Sequence, residues 1–267
     1  MCVHNKMNKI GRAMLMVTAG VIAVGLIAAR AHGQSFAISQ NGKSVGTASL
    51  SLKQVAGGFD STSGTKIDMP GLKYSFSENA TLDAGYRLSK VQLTGSVNGA
   101  SATVTTVPQG QQFLMKINAN NQVTNTPLAF HRETVFLADF DPGALQTLLN
   151  LGATINNRDM WALIPKQTGS ITALRIATNA DMQGTLNGKP LGVHHLTVTY
   201  GSDKTELFSG PSNELLQAEW TDEGFAMVRQ GFKLTPPARP NAAPPAAPPP
   251  DATPAPTGQA PQAQPQQ

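Results

Sequence analysis

Apolar and polar side chains alternate along most of this chain. Ala48, Leu50 and Leu52 alternate with Ser49, Ser51 and Lys53, the period-two pattern of a strand with one buried and one wet face. Phe113, Met115 and Ile117 repeat it, and Leu196, Val198 and Tyr200 face away from Val193, Thr197 and Thr199. Further short strands are expected at Lys73–Phe76, around Ala102 and Val104, at Arg132–Ala138, around Trp161 and Leu163, and at Ile171–Thr178. Leu216, Ala218 and Trp220 form another buried row, and Phe225 to Phe232 closes the set. Leu82, Ala84, Tyr86 and Leu88 share one parity while Val91 and Leu93 share the other. That switch predicts a bulge near Ser89–Lys90 in one long bent strand. Asn-Gly stands at residues 41–42, 98–99 and 187–188, each between strand-like stretches. This dipeptide suits the tight hairpin turns that match strand twist. Asn118 to Asn121 predicts another polar turn.

One stretch breaks the alternation. Asp141 is a good N-cap and Pro142 suits the first helical position. Leu145, Leu148 and Leu149 follow at helical spacing, with Ala144 and Leu151 on the same arc and Gln146, Thr147 and Asn150 opposite. Gly152 can close the helix. A helix over 142–151 is about ten residues, or roughly 15 Å, long. Isolated helices so short are marginal in water, so it must bury its leucines against a sheet.

These elements predict a mainly β fold: a large curved antiparallel sheet of about a dozen strands wrapped round one short amphipathic helix. So many strands must curl, split or close, and a closed or flattened barrel is the alternative.

The two ends read differently. Lys6, Lys9 and Arg12 precede the apolar run Ala13 to Ala28, and Ala29-Arg30-Ala31 gives a small-x-small cleavage site. That is the pattern of a signal peptide over 1–31, cut after Ala31 or alternatively after Gly33, and it predicts export to the periplasm or beyond. The apolar run is short for a membrane span, so no stable span is expected after cleavage. Residues 35–234 read as one β-rich domain. From Thr235 to Gln267 the sequence is rich in Pro, Ala and Gln with no aromatics, which predicts a disordered tail.

Export changes the charge balance. The full chain has 20 Lys plus Arg and 16 Asp plus Glu. Lys6, Lys9, Arg12 and Arg30 leave with the leader, so 16 basic residues remain against 16 acidic ones. Nothing electrostatic then points to nucleic acid. The one cysteine, Cys2, also leaves, which removes disulfides, thiol chemistry and cysteine-ligated metals.

Candidate chemistry is sparse. His194 and His195 are strand neighbours and point to opposite faces, His195 toward solvent, so they cannot chelate one metal together. A three-ligand site would need His131 or an acid to join one of them. Asp139 and Asp141 share parity and could do acid–base work, but capping already accounts for Asp141. Arg229 shares a row with Phe225 and Met227 and could meet an anion or lie exposed at an edge. There is no nucleophile elbow, P-loop, dinucleotide glycine fingerprint, zinc-protease motif or EF-hand. No catalytic residue, metal ligand or cofactor is assigned.

The ordering of elements resembles that of bacterial periplasmic lipoprotein-carrier and outer-membrane-lipoprotein-sorting proteins, and of other secreted proteins of similar build. The residues that carry the resemblance are Leu82-Asp83-Ala84-Gly85-Tyr86-Arg87-Leu88, Phe140-Asp141-Pro142, Asn213 to Trp220 and Phe225 to Arg229. The late single helix and the long proline-rich tail depart from that build. The resemblance implies an apolar cavity beneath a curved sheet. Leu145, Leu148, Leu149 and Trp161 are the residues expected to line it. The functional expectation is an exported, non-enzymatic binding protein that shelters an apolar ligand or a lipidated partner. The alternatives are an envelope interaction or structural module with a Pro-rich spacer, and a hydrolase built on His131, His194 and Asp139 or Asp141.

Overall fold

The computed structural model describes residues 33–236, apart from 157 and 167. The expected signal peptide lies outside the described residues, as does all of the expected tail beyond its first two positions.

The first eight strands form a meander: β1 (Gln34–Gln40), β2 (Lys43–Val55), β3 (Gly58–Met69), β4 (Leu72–Asp83), β5 (Leu88–Val97), β6 (Ala100–Gln109), β7 (Gln112–Ala119) and β8 (Gln122–Ala129). A short β9 (Thr134–Phe136) leads into α1 (Pro142–Ile155). Then come β10 (Met160–Ile164), β11 (Ser170–Thr178), β12 (Met182–Leu186), β13 (Lys189–Tyr200) and β14 (Asp203–Ser209). The last three are β15 (Leu215–Trp220), β16 (Phe225–Arg229) and β17 (Phe232–Thr235). Seventeen strands replace the dozen expected.

Hydrogen-bonded neighbours run from β8 back through the meander to β1, then to β16, β15, β14, β13, β11, β10 and β9. All of these pairs are antiparallel except β9 with β10. The sheet curls until Thr126 on β8 donates to Thr168 O, just before β11 (2.6 Å). No ladder joins β8 to β9 among the described residues, so the sheet stays open rather than closing into a barrel.

The Asn-Gly turns form as expected. Both residues take positive φ at 41–42, 98–99 and 187–188, the conformation a two-residue hairpin needs. The bulge near Ser89 is also present, between the pairs Thr81–Lys90 and Leu82–Leu88. The long bent strand is not. Asp83 Oδ1 accepts from the amides of Gly85 and Arg87 (2.8 and 2.9 Å), Tyr86 takes φ 62°, and the chain turns between β4 and β5.

The helix runs to Ile155, four residues beyond the expected end. Asn156, not Gly152, takes the left-handed closing conformation (φ 54°) and donates to Gly152 O. Its polar face is also buried, against expectation. Gln146 and Thr147 are 4% and 6% exposed, because α1 lies inside the curl with strands around it. One main core surrounds the helix, joining Phe36, Leu50, Ile67, Leu148, Leu151, Leu207 and Met227. A second lies under β4–β7, around Val91, Phe113 and Met115.

A third core sits on the opposite face of the sheet. There β12, β17 and the start of β13 pair with one another. They cover Val193, Phe208, Leu216 and Phe232. Leu216 therefore does not share a face with Ala218, contrary to the single buried row expected. A bulge beside Ser209 switches the parity, so Leu215 points to the helix and Leu216 away from it. Among the described residues no helix is long and apolar enough to cross a membrane.

Candidate functional site

The residues singled out from sequence do not assemble into one site. Leu145, Leu148 and Leu149 are 7%, 0% and 4% exposed and belong to the main core. The void on the other flank of the helix, bounded by Glu78, Leu82, Leu88, Phe136, Ala144 and Thr147, measures about 10 Å³. That is the size of one water at most. Trp161 packs elsewhere, stacked on the His131 ring at 3.5 Å. Its strand turns it away from the leucines it was expected to join, since Met160 and Ala162 take the core positions. The three leucines are therefore packed among core side chains.

The three histidines of the domain go to three different partners. His131 stacks on Trp161. His194 is the exposed one of the strand pair and meets Asp181 (3.1 Å). His195, expected to face solvent, is half-buried: it stacks on Phe208 and bonds Glu206 (2.9 Å). Asp139 pairs with Lys166 instead (3.0 Å). Among the described residues no three of His, Cys, Asp or Glu are placed to hold a metal ion.

A cleft of about 190 Å³ opens at the N-terminal end of the helix, lined by Asp139, Phe140, Lys166, Tyr200, Asp203, Lys204, Trp220 and Glu223. Four connections build it: the turn from β9 into α1, the β10–β11 loop, and the β13–β14 and β15–β16 hairpins. Rigid strands that present a cluster of loops are the usual platform for binding.

The first of these connections is held with care. Phe140 has φ 55°, a conformation that costs a bulky residue on the order of 1–3 kcal/mol. Hydrogen bonds from the sheet fix it. Tyr74 Oη donates to Asp139 O (3.0 Å) and Thr65 Oγ1 to Phe140 O (2.7 Å). Ser63 Oγ then donates to Asp141 Oδ1 (2.6 Å), which also accepts from Gly143 N as the helix cap (2.8 Å). This explains the inward face of β3. Ser61, Ser63 and Thr65 are buried yet polar, because part of what they face is backbone and carboxylate rather than core. The strained turn points the Phe140 ring at Trp220 (4.9 Å, edge to face) and Phe225 (4.8 Å).

Three carboxylates and two ammonium groups line the cleft. Lys166 Nζ lies 3.0 Å from Asp139 and 4.0 Å from Asp203. Burial alone would lower the Lys166 pKa, but Asp139, Asp203 and Glu223 raise it. Burial, then Asp203 and Asp139, push the Tyr200 phenol up to about 12. Lys204 is drawn to Glu206 (2.8 Å). Aromatic walls with fixed charges can bind and orient a ligand. The Lys166 amine beside Asp139 is held in its charged form.

Sequence reasoning missed Lys166, Tyr200, Asp203, Trp220 and Glu223. A signal existed. Tyr200 and Asp203 span one hairpin turn and Trp220 and Glu223 another, each an aromatic followed three residues later by an acid. The chain matches no protein-family model, curated protein or solved structure to which it was compared.

Proposed function

We propose that this chain is an exported binding protein without catalysis, and that its ligand sits in the cleft at the N-terminal end of the helix. The observation that carries this reading is the contrast between two spaces. The cleft gathers three aromatic and three acidic side chains from three connections, with Lys166 from a fourth, around about 190 Å³. The space beside the helix, where a carrier would hold an apolar chain, is about 10 Å³. Export rests on the N-terminal pattern of residues 1–31. The ligand is then taken at the rim rather than inside the curl, unlike the interior cavity that the carrier resemblance implies.

The test is a ligand screen by NMR on the intact mature protein. Chemical-shift changes confined to Phe140, Tyr200, Trp220 and their neighbours are expected. Lipid co-purifying with the protein, with shifts spreading through Leu145, Leu148 and Leu149, would overturn this reading in favour of an interior carrier. Mass spectrometry of the secreted protein checks export: a mature chain beginning at His32 or Gln34 is expected, and an intact residue 1 argues against it.

A further inference from the structure

Resting on that reading, we infer that the cleft selects an organic cation: an ammonium group on an apolar stem. The charges favour it first. Asp139, Asp203 and Glu223 line the cleft against Lys166 and Lys204, and the Lys204 ammonium is already held by Glu206 at 2.8 Å. Three negative charges against two positive leave a surplus of one negative charge. An anion entering here meets repulsion from several sides, and the low dielectric of a partly enclosed site strengthens each interaction.

The walls favour it second. Trp220, Tyr200 and Phe140 surround the same space. An aromatic face attracts a cation through its quadrupole, and tryptophan does so best. A carboxylate beside an aromatic wall gives an ammonium its counter-charge and its stem an apolar surface.

Third, the cleft already holds such a group. Lys166 is an alkylammonium on a four-carbon stem, and Asp139 and Asp203 bind it. Its side chain is 55% exposed and comes from a loop rather than a strand, so a competing cation can displace it without unfolding anything. Lys166 is then a tethered occupant, and the ligand's ammonium takes its place between Asp139 and Asp203.

This assignment makes an unusual demand on a variant. Removing the Lys166 charge should tighten the binding of a cation, whereas an anion site would lose its ligand. The protein has two tryptophans, Trp161 and Trp220, so their two indole N–H signals separate the cleft from the rest of the fold. Butylammonium, butyrate and butanol, equal in stem and different in charge, are titrated against the intact protein. Butylammonium should move the Trp220 signal, leave Trp161 unmoved, and bind at least about tenfold tighter than the other two. Lys166→Met should tighten it several-fold, and Asp203→Asn should weaken it about tenfold. Cadaverine and glucosamine, run in parallel, separate an aliphatic amine from an amino sugar as the source of the ammonium. Equal binding of butyrate or butanol at Trp220 overturns the cation assignment and leaves the cleft reading standing. A Trp220 signal unmoved by every compound overturns both. Weaker cation binding in Lys166→Met, with the fold intact by circular dichroism, also overturns the assignment.

Discussion

Glu78 and Asp141 meet inside the protein, 2% and 0% exposed, as a buried carboxyl pair. Asp141 Oδ1 is occupied by Ser63 and Gly143. Asp141 Oδ2 and Glu78 Oε2 are both buried without a donor. Buried carboxylate oxygens without a donor are costly, and a proton kept on Glu78 lowers that cost. Burial, and then the Asp141 charge, hold the Glu78 pKa well above the usual carboxylate value. Tyr74 is the other titratable group coupled to the pair, and burial followed by Asp139, Asp141 and Glu78 keeps its phenol neutral.

The pair should give the protein a stability that falls as pH rises. The folded pKa of Glu78 is raised, so the native state holds a proton that the unfolded chain releases above about pH 4.5. The contribution is complete below that value and is lost as the pH climbs toward the folded pKa. Urea midpoints measured from pH 4 to pH 9 should decline for the native sequence. Glu78→Gln keeps a donor for Asp141 and carries no proton to lose, so its decline should be shallower. An unchanged slope in that variant would show that the pair is not the source. Glu78→Ala leaves Asp141 Oδ2 unpaired and should cost about 1–3 kcal/mol at every pH.

Gly143 should resist a substitution that helices normally welcome. Replacing glycine by alanine inside a helix usually stabilises by roughly 0.5–1 kcal/mol. Here an added Cβ would stand 2.7 Å from Ser63 Oγ and 2.9 Å from Ser63 Cβ. Ser63 cannot swing aside without releasing Asp141. Gly143→Ala is therefore expected to destabilise by about 1–3 kcal/mol, read from chemical denaturation. A stabilised variant would mean that α1 can lift from β3 at no cost.

The sequence discloses what is set by local geometry. Three Asn-Gly turns, the Asp141 cap and the alternation of Phe113, Met115 and Ile117 each depend on a few neighbouring residues, and each forms. Strand β3 gave no signal, because its inward face is Ser61, Ser63 and Thr65, chosen to meet a helix cap more than seventy positions away. Gln146 looked like a solvent-facing residue by its angle on the helix, and the curl of the sheet buried it. Leu216 looked like core beside Ala218, and an unforeseen bulge sent it to a separate core. The cleft was the least legible feature, since four loops distant in sequence build it. Only the paired spacing of Tyr200 with Asp203 and Trp220 with Glu223 marks it along the chain.

Gln146 should behave as a piece of strand carried by the helix. Its Oε1 accepts from Leu215 N and its Nε2 donates to Asn213 O, both at 2.8 Å. These backbone groups lie where β14 and β15 part at their bulge. Gln146→Leu keeps the volume and abandons two backbone groups, so a loss of about 2–4 kcal/mol is expected. The Leu215 amide should also lose its protection from hydrogen exchange. A protected Leu215 in the variant would mean that another acceptor serves it.

Glu206 should act in the opposite direction to Glu78. It lies on the sheet face away from the helix and accepts from Lys204 (2.8 Å), Thr197 (2.7 Å) and His195 (2.9 Å). Burial alone would raise its pKa, yet the bonds from Lys204, Thr197 and His195 lower it overall. A depressed folded pKa contributes stability above the unfolded value, and that stability is lost as pH falls through the folded one. Glu206→Gln should therefore be less stable than the native sequence at neutral pH, and the two should converge in acid. The loss at the acid end then belongs to Glu206 and the loss at the alkaline end to Glu78. The two groups share no partner, so the double variant Glu78→Gln/Glu206→Gln should flatten both limbs additively. A double variant that flattens only one limb would show that the other arises elsewhere in the fold.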